Sequence, residues 1–340
     1  MSLPSLDDLL VDAHVVTLPM RVRFRGALAR EVLLLRGPAG WGEFGPFVEY
    51  GDEEASWWLS SAVEAAWRGW PEPLRSHVTV NATVPAVTPA EVAGVLAAFG
   101  GCATAKVKVA EAGQARSDDV ARVAQVRALL GPAGRIRVDA NGAWDVDTAV
   151  ETLTALARYD LEYAEQPCAS LRELRELRLR LAAAGTDVPI AADESIRKAE
   201  DPFTVAAGGA VDLAVVKVAP MGGVRRTLAV VERLRAEHGL PVVVSSALDS
   251  GVGIAAGLAA AAALPDEPPA CGLATTVLLV RDVVEPPVVP SGGVLAVGAR
   301  APDPGALVRL AAPVERRGWW LDRVARCYRV LERRAGSSAW

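Results

Sequence analysis

The feature that most limits how this chain can fold is a repeated unit in which a short apolar run ends in a charged residue. Lys106-Val107-Lys108, Asp139-Ala140-Asn141-Gly142, Glu165-Gln166-Pro167, Asp193-Glu194-Ser195 and Val216-Lys217-Val218 follow one another along the chain. From Lys108 through Asp139, Glu165 and Asp193 to Lys217 the spacings are 31, 26, 28 and 24 residues. Each spacing matches one strand-loop-helix unit. Such repetition predicts parallel strands alternating with helices, closed into a (β/α) barrel whose chemistry lies at the strand C-termini.

Candidate strands are 78–84, 105–109, 136–139, 161–165, 190–193, 213–218, 242–245 and 270–273. Helical patterns fill 89–99, 118–130, 145–158, 171–184, 225–238 and 251–264, with a shorter candidate at 199–208. Residues 1–77 lack the repeat. There, 11–41 reads as β-structure and 53–70 as a helix carrying Trp57, Trp58, Val63 and Trp67, which we expect to pack. The expected domains are an α+β unit over 1–77, the barrel over 78–276 and a C-terminal segment over 277–340. That last segment, with Pro286-Pro287, Pro290 and Gly292-Gly293, reads as loops and short strands returning to the first domain, then a terminal helix over 319–334.

A chain of 340 residues, 51% apolar and 23% charged, suits a full barrel with a smaller companion domain. Its net charge of −5 argues against a nucleic-acid footprint. Cys102, Cys168, Cys271 and Cys327 show no metal-type spacing and read as buried thiols in a reducing compartment. No basic-then-apolar leader opens the sequence, and the most apolar stretch, 252–264, is too short to span a bilayer. The cytoplasm is the expected location, with no membrane partner.

Asp139, Glu165 and Asp193 end three successive candidate strands, so a barrel brings them side by side at one mouth. Three converging carboxylates repel unless a cation sits among them, and hard oxygen donors suit Mg²⁺, or Mn²⁺. Lys106 and Lys108 lie two apart in a strand and so share a face. Lys217 lies across the barrel from them. An unperturbed lysine is neutral at pH 7 only about one part in 2500, a handicap of about 4.6 kcal/mol for a base. A second lysine and a divalent cation both lower that pKa. The set suits abstraction of a proton α to a carboxylate, with the cation stabilising the enediolate.

These residues, with Gly40-Trp41-Gly42-Glu43 ahead of them, resemble the enolase superfamily. Members of that superfamily use Lys or His bases together with Mg²⁺. The resemblance implies an α+β capping domain, completed by C-terminal segments, over a modified (β/α)7β barrel. Lysines on both sides of the barrel are similar to the muconate-lactonizing subgroup. The short cap with Phe24-Arg25-Gly26 is most similar to actinobacterial-type o-succinylbenzoate synthases, which act on a small-molecule dicarboxylate in menaquinone synthesis. By that resemblance Asp139, Glu165 and Asp193 hold the metal and Lys108 is the base. Lys217 faces the ring from the other side, and Lys106 lowers the pKa of Lys108. Asn141 and Asp249 support them, and Ser245 and Gly272 meet the succinyl tail.

The nearest alternative is an N-acylamino acid racemase using the same lysines. A different class, a non-catalytic metal-binding barrel, is weighed against by the intact acids and lysines. Met221-Gly222-Gly223 reads first as a tight turn and second as a cradle for an anion. The Arg-rich stretch 171–180 reads as a solvated outer face. Arg21, Arg23 and Arg25 read as exposed cap residues.

Overall fold

Alternating apolar residues build an antiparallel sheet at the start of the computed structural model, which describes residues 3–24, 26–197 and 202–336. Its strands are β1 (His14–Phe24), β2 (Ala27–Gly37) and β3 (Gly40–Phe44), in that order. Helix Asp52–Val63 packs on this sheet and runs on into a π-helical turn, Glu64–Arg68. The approach is so close that a Cβ at Gly42 would lie 2.1 Å from the Ala62 carbonyl oxygen, so glycine is required there. Leu33, Leu35, Phe44, Trp58 and Leu59 form a core separate from the barrel's, and Trp320, Val324 and Leu331 of the C-terminal helix Val314–Gly336 complete it. That helix begins five residues before the expected start, because Val314 to Gly318 lack the apolar period that marks the rest. Trp58 is buried. Trp57 is half-buried, with the guanidinium groups of Arg226 and Arg334 at 3.6 and 4.3 Å from its ring. Arg25 lies outside the described residues.

The expected first barrel strand is divided. Residues His77–Thr79 form β4, and β5 (Ala82–Val84) begins a parallel sheet. The sheet continues in chain order through β6 (Thr104–Lys108), β7 (Arg135–Asp139), β8 (Leu161–Glu165), β9 (Ile190–Ala192), β10 (Leu213–Lys217) and β11 (Val242–Ser245). Strand β12 (Val294–Ala296) pairs antiparallel with β4, so the returning C-terminal segment takes up half of that expected strand. The expected eighth strand makes only two single bridges, Val80 with Cys271 and Ser245 with Gly272. Pro268 and Pro269 donate no backbone hydrogen bonds just before it, which limits its pairing. These two bridges join β11 to the start of the sheet.

Helices occupy the expected intervals as Val92–Ala97, Arg116–Leu130, Val146–Leu156, Leu171–Ala183, Val224–His238 and Gly251–Ala263. Pro202–Ala207 is helical, while 199–201 of the shorter candidate fall outside the described residues. On the outer Arg-rich helix, Arg175 donates to the Gly208 carbonyl and Arg178 to Asp212. Among the described residues no helix is long and apolar enough to cross a membrane. The barrel floor is filled, not open: Tyr163, Ala191, Val215 and Val243 pack together. Beside them Arg137 donates to Glu162, to Asn81 and to the Ala270 carbonyl. A plugged floor leaves one end of the barrel for chemistry.

Candidate active site

Strand register sets the site. Lys108 pairs with Asp139 across β6 and β7, and Asp139 with Glu165 across β7 and β8. Lys217 pairs with Ser245, and Ser245 bridges to Gly272. In parallel strands held level, these side chains emerge at one height around the mouth. Asp139, Glu165 and Asp193 are all at most 1% exposed. Lys106, Lys108 and Lys217 are buried too and front one small cavity with Asp139, Ser245 and Gly272.

Each carboxylate meets an ammonium. Lys106 donates to both oxygens of Glu165, at 3.0 and 3.1 Å, and lies 3.5 Å from Asp139. Lys108 donates to Asp139 at 2.5 Å and to Asn141 Oδ1 at 2.8 Å. Lys217 donates to Asp193. Among the described residues no three Asp, Glu, His or Cys side chains are gathered as a ready ion cage. Burial and then the charge of Asp139 nevertheless push Glu165 up to about 7, against the pull of Lys106. The mouth therefore favours further positive charge even with the lysines in place. Together with three hard oxygen donors from adjacent strands, this fits a divalent cation. Lys106 is itself held in its charged form. Burial lowers its pKa, but Glu165 and Asp139 outweigh burial and raise it.

Backbone geometry locks the strand ends. Asn141, Gln166, Ala110 and Leu248 adopt left-handed conformations just past β7, β8, β6 and β11, with φ of 48°, 40°, 60° and 62°. Such strained residues cluster where a chain must leave a strand sharply at a working site. Asn141 also donates to Glu194 at 3.3 Å. The Gln166 side chain accepts from the backbone N–H groups of Asp193 and Ser195, at 3.0 and 3.1 Å. It thereby ties the end of β8 to the turn that carries Asp193. The sequence pattern alone assigns neither Gln166 nor Glu194 a task. Phe24 and Phe47 of the capping domain close the cavity, with Lys108 Nζ 5.1 Å from the Phe24 ring. No periodicity marks either phenylalanine as a site residue. Arg30 fixes Phe47 from behind, 4.4 Å over its ring.

Ser245 and Gly272 line the same cavity. A Cβ on Gly272 would come within 2.4 Å of Ser245 Oγ, so the glycine keeps that wall open. Beside them, the Ser246 and Thr275 hydroxyls pair at 2.7 Å. Asp249 is placed differently. It is half-buried behind the mouth, accepts from the Ala247 N–H at 3.1 Å, and borders a second cavity with Glu43 and Trp58. Burial raises the Asp249 carboxyl. Burial and then Asp249 push Glu43 up to about 8, although Ser250 donates to it.

A raised carboxyl pKa stabilises the fold below the unfolded value of 4.5 and loses that contribution as pH rises through about 8. Glu43→Gln removes this titration. The variant is expected to show a flatter decline of melting temperature between pH 5 and 8 than the parent. Equal slopes in a calorimetric pH series would refute the assignment.

The comparisons agree with this architecture. Residues 89–311 match the family described as enolase C-terminal domain-like, and residues 15–66 the enolase N-terminal domain-like family. The chain is 58% identical over 329 residues to an o-succinylbenzoate synthase of Mycolicibacterium smegmatis, covering 96% of this chain and 98% of the relative. It is 56% identical to that of Mycobacterium marinum, covering 98% of both. Among solved structures, muconate lactonizing enzyme from Pseudomonas fluorescens, complexed with muconolactone, aligns with a TM-score of 0.75 at 22% identity, over 88% of this chain and 98% of that one. The enzyme from Pseudomonas putida aligns with a TM-score of 0.72 at 23% identity, over the same shares. At such identity these two bear on the fold alone. The chain belongs to the enolase superfamily and, within it, to the o-succinylbenzoate synthase family.

Proposed function

We propose that the chain is a hydro-lyase that converts 2-succinyl-6-hydroxy-2,4-cyclohexadiene-1-carboxylate to o-succinylbenzoate. One observation carries the mechanism. Lys108 on β6 and Lys217 on β10 front the same cavity, and Asp139, Glu165 and Asp193 stand at or just past the ends of the three strands between them. A planar ring carrying a carboxylate can lie there with one amine on each face.

Asp139, Glu165 and Asp193 are the residues that would hold a divalent cation, Mg²⁺ by our reading, with Mn²⁺ also suited to these donors. Bound there, it supplies positive charge for the substrate carboxylate as that group becomes an enediolate. Lys108 must first shed its proton. That loss becomes easier once Asp139 turns its charge elsewhere, and Lys106, held charged by Glu165, favours it further. Neutral Lys108 then takes the C1 proton, and the C1–H electrons pass into the enediolate. On the same face the ammonium of Lys108 gives that proton to the departing C6 hydroxyl. The C6–O bond breaks, water leaves and the ring becomes aromatic. Lys217 places its ammonium against the opposite face, where positive charge stabilises the electron-rich ring. Phe24 and Phe47 cover the mouth and limit access of water.

The test follows aromatisation by ultraviolet absorbance with purified protein and Mg²⁺. Turnover that stops with a chelator and returns with Mg²⁺ is expected. A folded, Mg²⁺-supplied protein that leaves the diene unchanged would overturn this reading.

A further inference from the structure

We propose that Glu64 is a positioning residue for Lys217, acting through the turn that follows β10. The inference rests on the role given to Lys217 above. Lys217 is the last residue of its strand, and the chain passes directly into a short helix, Val218–Met221. It then turns through Gly222 and Gly223, with φ of 93° and 126°, into helix Val224–His238. Its N-cap, Gly223, has no side chain to cap that helix.

The capping domain supplies the missing group. Glu64 accepts hydrogen bonds from the backbone N–H of Val224 and, at 3.3 Å, from that of Arg225. The Arg225 guanidinium adds a contact at 2.9 Å. One turn earlier, Ser60 Oγ donates to the Gly222 carbonyl at 2.9 Å. Trp57 covers the same turn, so that a Cβ on Gly222 would lie 2.7 Å from its ring. A Cβ on Gly223 would collide with the Glu64 carboxylate. Trp57, Ser60 and Glu64 share one helical face at spacings of three and four. Glu64 opens the π-helical turn, which is closed by the Gly69 N–H bonding to the Glu64 carbonyl at 2.9 Å. π-Turns inside helices are frequent at functional sites.

The Gly222-Gly223 pair is thus an anion cradle whose anion comes from the protein itself. Its occupant belongs to the capping domain, which also supplies Phe24 and Phe47 over the cavity. The seating of the cap is thereby tied to the position of Lys217. A small displacement of that amine relative to the ring weakens its electrostatic contribution while leaving most substrate contacts intact.

The experiment measures Glu64→Gln and Ser60→Ala beside the parent and Lys217→Ala, with kinetics on the cyclohexadiene and crystal structures of the variants. Glu64→Gln is expected to lower kcat about tenfold while KM stays within about threefold. Its structure should show Lys217 displaced from Asp193. Should Glu64→Gln fail to fold, Ser60→Ala decides, with a smaller loss of the same kind. Unchanged kcat, or lowered kcat with Lys217 in its original place, overturns the inference. Full activity in Lys217→Ala would instead refute the role assigned to Lys217, a separate failure.

Discussion

Lys108→Ala is expected to lower kcat by about 10²- to 10⁴-fold, the range set by loss of a positioned acid-base group. The reason is geometric. Lys108 is the lysine of β6 whose amine lies under the Phe24 ring and between Asp139 and Asn141, at the level where the strand register gathers the site. Lys108→Arg is the sharper test. Arginine keeps the positive charge for Asp139 but cannot act as a base, since its guanidinium does not deprotonate in proteins. Both variants are expected to be equally inactive and to melt cooperatively. Near-parental turnover in the arginine variant would mean that Lys108 supplies charge only, and another group would have to take the proton.

Glu165→Gln is expected to weaken binding of the divalent cation by about 100-fold or more, because ligand charge count tunes such sites. Glu165 is central among the three acids, with Asp139 its register partner on one side. Isothermal titration with Mg²⁺ and the Mg²⁺ dependence of kcat should show the same loss. Unchanged affinity would remove Glu165 from the ligand set. The substitution also leaves Lys106 with Asp139 as its remaining close carboxylate, so a thermal melt should accompany the titration.

Much of this was readable from residue order. Acids and lysines at the ends of apolar runs, one per repeat, marked both the barrel and its working end. In the sequence the Gly40-Trp41-Gly42-Glu43 segment carries a resemblance alone. In the structure, Gly42 lets a helix approach and Glu43 is buried behind the mouth. The expected eighth strand reduces to two single bridges, which an apolar run cannot reveal. Phe24 and Phe47 were invisible as cavity walls, because a covering side chain needs no regular spacing. Asp249 borders the neighbouring cavity, a placement that residue order does not reveal.

The sequence by itself determined the parallel repeat, the lysine pair on one strand face and the order of the acids. These depend on local periodicity and on the two-residue alternation of a strand. Only the tertiary structure decided which ammonium meets which carboxylate, how far burial lifts Glu165 and Glu43, and that Glu64 caps a helix 160 residues away. Such pairings depend on distance and desolvation between segments remote in the chain, and both come into being only when the sheet closes and the cap sits down on it.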